Sequence, residues 1–401
     1  MTPAKILLLD TGREWGGGTN SMFELLKRID RSRFAVTALF YHNYRKGEDS
    51  DLQRELQKIG VELRLQPQPR QPLWAKLAKE LIRAMLAWNR GLRNRTLFKL
   101  ELAWRIRPNA RHIARVLREG GYDLLYLNNQ PSSNLEGLLA AEATGIPVLQ
   151  HARKVAALNP DERHLANRWL RRMICVSEGV RAAFVGQGIA ADKCVVVCNG
   201  IDISAKPRLA AQEIRRRHGI APDEIVVGTA GSLIKLKHVD QLIEAMAVLA
   251  AAKAPVKCLI VGDGPRKSKL QALAKTRGVA DRCIFTGFQP DAFSYINAMD
   301  VFTLCSSQEG LPRVILEAML LGKPVVASNV TGSSELVLPG ATGFLFPFGQ
   351  SAPLAAHILA LVSDESLRAR MGAAAKVRVA EHYSIERYVA GVEAMLEEAA
   401  S

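Results

Sequence analysis

Apolar residues along this chain follow two rhythms. Short, mostly apolar runs occupy 5–10, 34–40, 124–127, 147–150, 173–176 and 195–198, and 61–65 alternates apolar with charged. Runs of that length, rich in Val, Ile and Leu, predict buried strands. Between them the spacing changes to three and four, as in Met22, Phe23, Leu25, Leu26 and Ile29, and again over 51–59 and 132–144. That spacing predicts helices with one buried face. Ser21 and Glu24 are placed to form a capping box at the first of them. A helix at 210–218 and the turn to Pro222 separate this half from a second one. There the alternation restarts with strands at 225–230, 258–261, 284–287, 301–304 and 325–328 and a helix over 239–252. Strand and helix in regular alternation predict α/β structure, a mainly parallel sheet with helices on both faces. Two such doubly wound domains are expected, 1–203 and 204–382, followed by an amphipathic helix within 383–401. Loops suited to a ligand lie at strand C-termini in both halves, so a ligand is expected in a cleft between facing domains.

One segment breaks the alternation. Leu73, Leu77, Leu81, Met85, Trp88 and Leu92 repeat every three or four residues, with Lys76, Lys79, Arg83, Arg90 and Arg93 at other positions. The net charge of +15 is concentrated here, since residues 64–118 alone carry +12. Three of the five tryptophans (Trp74, Trp88, Trp104) share the segment. Such a helix suits an anionic membrane surface through residues 73–105. The alternative is a stripe that packs on the domain's own sheet. Nothing resembles a nucleic-acid module, so no nucleic-acid partner is expected. The rest of the composition, 48% apolar and 23% charged, is that of a soluble globular protein. No apolar run approaches the roughly 20 residues that span a bilayer. The N-terminal run is too short for a signal peptide. The six cysteines form no C-x-x-C pair and suit core positions with reduced thiols. A cytoplasmic protein, peripheral to the inner face of the cytoplasmic membrane, is the expectation.

Candidate chemistry gathers in a few loops. The stretch Gly16-Gly17-Gly18-Thr19-Asn20-Ser21 follows the first strand and precedes a helix, as an anion cradle does. In Glu309-Gly310-Leu311-Pro312, Gly and Pro break the chain, with Pro312 at the first position of a helix that carries Val314, Ile315, Ala318 and Met319 and stops at Gly322. Glu309 then stands outside the helix N-terminus and Glu317 about 1.5 turns inside it. A helix N-terminus suits phosphate, whereas two acids suit neutral hydroxyls. Together they point to a nucleotide sugar.

These residues, with their surroundings, resemble the retaining family 4 glycosyltransferases, whose GT-B fold pairs two Rossmann-like domains. The matching stretches, in the family's order, are Val176-Ser177, Asn199-Gly200-Ile201-Asp202, Gly231-Ser232-Leu233 with Lys237, Val261-Gly262-Asp263-Gly264-Pro265, Gly287-Phe288, Glu309 to Ala318, Gly322-Lys323-Pro324 and Gly343. They cover nearly all of 172–350, whereas 1–171 resembles the family through the glycine loop and His151. The resemblance implies that Glu317 holds the ribose and Glu309 a hydroxyl of the donor sugar. The backbone of Gly310, Leu311 and Pro312 orients that sugar, and His151 touches it. Lys237 neutralises the leaving diphosphate, helped by N–H groups near Gly17, Gly18 and Gly332. Phe288 meets the base. Ser232 departs from the family's arginine, which removes a bidentate phosphate ligand that Lys235 could replace.

The activity implied is metal-independent transfer of a sugar with its configuration kept. The donor is a UDP-sugar in the first instance, a GDP- or ADP-sugar otherwise, and no cofactor is needed. The acceptor implied is a membrane-associated glycan or glycolipid such as a lipopolysaccharide intermediate. A sugar-nucleotide epimerase or a non-catalytic nucleotide-sugar-binding protein of this fold are the alternatives. In this fold the last helix crosses back to the first domain.

Overall fold

The computed structural model describes residues 2–12, 15–47 and 50–401. Two units make up the chain. The first is Met1–Cys175 with Arg181–Val196 and Gly391–Ser401, and the second is Val176–Val180 with Val197–Ala390.

The first unit holds a parallel sheet of seven strands: β1 (Ala4–Asp10), β2 (Phe34–Phe40), β3 (Glu62–Leu65), β4 (Leu124–Leu127), β5 (Val148–Ala152), β6 (Leu170–Cys175) and β7 (Cys194–Val196). Their order across the sheet is β3-β2-β1-β4-β5-β6-β7. The order therefore reverses direction between β1 and β4, which opens a crevice at their C-terminal ends. Ile6 to Leu9 are wholly buried, because helices cover both faces. The second unit repeats the plan with β8 (Ile225–Ala230), β9 (Val256–Val261), β10 (Cys283–Gly287), β11 (Val301–Leu304), β12 (Val325–Ser328) and β13 (Gly343–Phe346). All pairs are parallel, in the order β10-β9-β8-β11-β12-β13, with the reversal between β8 and β11. One of its core layers joins Val227, Ile260, Val301 and Val326 from the strands to Leu242, Met246 and Leu249 from helix Val239–Ala251.

Three local expectations need correction. Helix Gly17–Arg28 starts before Ser21, so Ser21 cannot cap it; its hydroxyl donates to the Gly17 carbonyl at 3.2 Å instead. Glu24 pairs with Lys27 and Arg28 on the same helix. Pro312 is the N-cap of helix Arg313–Leu320 rather than its first residue. The basic segment is not one helix. It forms Leu73–Met85 and Arg90–Glu101, with Asn89 capping the second by accepting from the Leu92 N–H. The strand Gly343–Phe346 was not foreseen, since Gly343 and the intermediate burial of Phe344 and Leu345 weaken its apolar signal.

The last helix, Ile385–Ala400, begins in the second unit, where the Ile385 N–H donates to the Ile201 carbonyl and the Ile201 N–H to the Tyr383 carbonyl, both at 2.9 Å. Its final part counts with the first unit. There Glu393 accepts from the Asp30 N–H and Glu397 from Arg33.

Candidate active site

In the second unit the loops that leave β8, β9, β11 and β12 pack backbone against backbone. A Cβ on Gly262 would lie 2.0 Å from the Gly231 carbonyl oxygen, and one on Gly332 only 2.1 Å from that of Gly310. Both also have positive φ, so glycine is the one residue that lets the loops meet. The Glu309–Pro312 turn is thereby clamped to the turn at Thr331–Ser333.

Lys237 and Glu309 come together across this cluster. The Lys237 ammonium donates to Glu309 Oε1 at 2.6 Å, with the side chains 21% and 12% exposed. Lys237 ends a short helical turn before His238, whose left-handed φ of 43° is unusual for a non-glycine residue. The His238 ring meets Phe348 edge-on at 4.8 Å. Ser232 is exposed and its carbonyl accepts from the Ile234 N–H; Lys235 is exposed too. Residues 231–237 themselves carry no arginine in place of the family's.

Glu317 points from helix Arg313–Leu320 with its side chain 17% exposed. Among the described residues no hydrogen bond reaches its carboxylate, and Arg313 Nε stands 3.9 Å away. Burial pushes its carboxyl above the usual range, and Arg313 opposes the shift only in part. Such a carboxylate is short of donors, which the two hydroxyls of a ribose can supply.

The Asn199-Gly200 mark has a structural task. Asn199 Nδ2 donates to the Leu311 carbonyl at 3.0 Å, and Arg313 Nη1 donates to the Gly200 carbonyl at 3.0 Å. The turn therefore braces the loop between the two glutamates. Phe288 is half exposed just after β10, free to stack on a planar ring. Glu335 is already engaged: its carboxylate accepts from the N–H groups of Glu178 and Gly179 at 2.8 and 2.9 Å.

The first unit carries its own polar group at the ends of β1, β4 and β5. Gly17 and Gly18 form the first turn of helix Gly17–Arg28, and the Gly16 N-cap has no side chain to satisfy the N–H groups there. His151 is fully buried on β5, with Nδ1 2.6 Å from the Tyr126 hydroxyl. Burial, then the Arg153 charge, hold its pKa well below the usual value, so the ring is neutral. Beside it lies a network that sequence reasoning missed. Buried Asp10 accepts from the Gly12 N–H and from the amides of Asn128 and Asn129 at 2.6–2.9 Å. Arg153 Nε donates in turn to Asn128 Oδ1 at 3.0 Å. The available signal was positional: an acid ends one buried strand, and an Asn pair and an arginine directly follow two others. A cavity of about 270 Å³ opens on the same unit, lined by Phe98, Glu101, Arg105, Ser132, Ser133 and Glu136 among others.

Comparison with known proteins gives the same answer for each half. Residues 15–205 match the model for Glycosyltransferase Family 4, and residues 210–378 match Glycosyl transferases group 1. N-acetyl-alpha-D-glucosaminyl L-malate synthase of Bacillus anthracis is 29% identical over 49% of this chain and 51% of that protein. The lipopolysaccharide core biosynthesis glycosyltransferase LpsD of Rhizobium meliloti is 26% identical over 74% of this chain and 82% of its own. The chain spans about half the length of most of the curated relatives it matches. Among solved structures, Anabaena Alr3699/HepE in complex with UDP-glucose superposes with a TM-score of 0.76 at 25% identity, over 98% of this chain and 99% of that one. Two parallel Rossmann-like units, the glutamates with seven residues between them and a model match on each half establish the GT-B fold, and the protein belongs to the family 4 glycosyltransferases.

Proposed function

We propose that the protein moves a sugar from a nucleotide-diphosphate sugar to a hydroxyl of a cell-envelope glycan or glycolipid, with retention and without a metal ion. The observation that carries this reading is the Lys237–Glu309 pair at the loop that leads into the helix of Glu317, a carboxylate that lacks donors. Glu317 takes the ribose diol and Phe288 the base. When the diphosphate arrives, Lys237 turns from Glu309 to the phosphate oxygens, and Glu309 is released to a sugar hydroxyl. The bond from the anomeric carbon to phosphate then breaks, and its electron pair leaves with the diphosphate. Stabilising that charge is the main catalytic task, and an ammonium with helix N–H groups can do it. The acceptor hydroxyl adds on the same face and gives its proton to the departing phosphate oxygen. Gly17 and Gly18 offer N–H groups to an anion, and neutral His151 suits a hydroxyl.

A UDP-sugar is the first donor to test, supported by the UDP-glucose held by Alr3699/HepE. The acceptor class is supported by LpsD, a lipopolysaccharide core enzyme. In the first-unit cavity, Ser132, Ser133 and the Glu carboxylates suit the hydroxyls of a neutral sugar ring, and Phe98 its apolar face. The enzyme acts at the cytoplasmic face of the membrane that holds such acceptors. The test is incubation with UDP-, GDP- and ADP-sugars, with and without a lipopolysaccharide-core acceptor, and NMR of the new linkage. Acceptor-dependent nucleotide release with the anomeric configuration kept is the expected result. Inversion refutes retention, and epimerised donor in the absence of acceptor refutes the transferase reading.

A further inference from the structure

The basic segment of the first unit is folded inside out with respect to an ordinary surface helix. Helix Leu73–Met85 turns Ala75 inward, the one residue of the helix that is buried, with Ala78, Lys79 and Ile82 half-buried on the same side. Its large apolar residues face the other way. Leu73, Leu77, Leu81 and Met85 are 79%, 70%, 60% and 65% exposed, and the stripe runs on through Trp88 at 78% to Leu92. A stripe of this size, continuous over two helices and rimmed by charge, is far more than the scattered apolar exposure of a normal surface. The packing of this stripe on the domain's own sheet, the alternative left open by the sequence, is not what the structure has.

The rim decides what covers it. Lys76, Arg90, Arg95 and Lys99 are exposed, and among the described residues none of them pairs with a carboxylate. Arg83 pairs with Glu80, and Lys79 is turned inward to Glu101 at 2.7 Å. A second copy of this chain on the stripe would bring these unpaired cations against their own kind. No helix among the described residues is long and apolar enough to cross a membrane. We propose that helices Leu73–Met85 and Arg90–Glu101 dock on the interface of an anionic lipid bilayer, with Leu73, Leu77, Leu81, Met85 and Trp88 sunk below the headgroups and the arginines and lysines bound to lipid phosphates. Apolar insertion and headgroup attraction act together in such helices. This names the partner of the transferase reading and rests on it for the choice of a membrane-held acceptor.

The docking element is also part of the cavity wall. Lys79 ties the first helix to Glu101 and lies over the Trp104 ring at 5.6 Å, and Glu101 and Arg105 line the cavity. Phe98 and Glu101 are thus shared by the docking element and the cavity wall.

The test uses the full chain and vesicle flotation. Vesicles of phosphatidylcholine alone are compared with vesicles holding about 30% phosphatidylglycerol, at low and at physiological salt. The wild type is expected to float with the anionic vesicles and to stay behind with the neutral ones. The combined variant L77S/L81S/W88S, and separately K76E/R90E/R95E, should each bind about tenfold or more weakly. All these side chains are exposed, so the thermal unfolding temperature and the shift produced by added UDP should match wild type in both. Wild type that stays in solution with anionic vesicles at low salt overturns the proposal. So does an L77S/L81S/W88S variant that floats as well as wild type, or a wild-type dimer in light scattering that this variant dissociates. Nucleotide-sugar turnover without flotation leaves the transferase reading intact while docking fails. Flotation without any turnover sinks the transferase reading and leaves docking standing.

Discussion

The Lys237–Glu309 pair is the most informative place to perturb this protein. The two side chains meet at 2.6 Å, and both are mostly buried, at 21% and 12% exposure. At an effective dielectric of about 20 their attraction is of the order of 6 kcal/mol, and the desolvation of both charges offsets a large part of it. Replacing Lys237 by Met leaves the Glu309 carboxylate in a confined loop without its cation, which should destabilise the ligand-free second unit by about 2 kcal/mol. Glu309→Gln keeps an oxygen that accepts from the ammonium, so its cost should be nearer 1 kcal/mol. The double variant should cost less than the sum, with a coupling of about 1 kcal/mol. All five tryptophans precede residue 170, so unfolding in urea is followed by circular dichroism rather than by fluorescence. In turnover the asymmetry is reversed in origin. Lys237→Met removes charge stabilisation that grows as the diphosphate leaves, and kcat should fall about 100-fold or more. Stability costs that simply add would refute the pairing. A Lys237→Met enzyme that keeps its kcat within about twofold would refute the assignment of the leaving group to Lys237.

The other site predictions follow from burial and from close contacts. Burial raises the Glu317 carboxyl, yet the ionised form is the one that accepts from a ribose diol. UDP affinity measured by calorimetry should therefore weaken as pH falls through that raised range, while Glu317→Gln should bind about tenfold more weakly at neutral pH and lose the pH dependence. The sign for stability is opposite. A carboxyl raised in the folded state favours the ligand-free fold at low pH, and this advantage is lost as pH rises, so Glu317→Gln should flatten the decline. A pH-independent wild-type affinity would overturn both statements. Gly332→Ala places a methyl 2.1 Å from the Gly310 carbonyl oxygen at a φ of +80°, so the Glu309 loop must move by about 1 Å. The expected loss in kcat/KM is about 100-fold, and wild-type kinetics would show that the clamp between the two loops does not position Glu309.

Much of this protein can be read from the order of its residues. Buried parallel strands must be apolar along their whole length, because helices cover both faces, so runs such as Ile6–Leu9 reveal themselves. The position of Glu309 outside a helix and Glu317 within it followed from Gly310, Pro312 and Gly322, which act through local backbone geometry. The capping box at Ser21 failed for an equally local reason: a run of glycines lets the helix start a turn earlier at Gly17.

What depended on tertiary structure is contact between residues far apart in sequence, on which local pattern has no hold. Lys237 meets Glu309 only because strands β8 and β11 are neighbours in the sheet order, and Asn199 meets Leu311 across 112 positions of sequence. The Asp10 network needs β1 beside β4, which are separated by more than a hundred residues. The basic segment is the sharpest case. Its sequence determined an apolar stripe on a charged helix, but a stripe can face inward or outward with the same periodicity. The fold turned Ala75 to the protein, with Lys79 drawn inward to Glu101, and left Leu73, Leu77, Leu81 and Met85 in water.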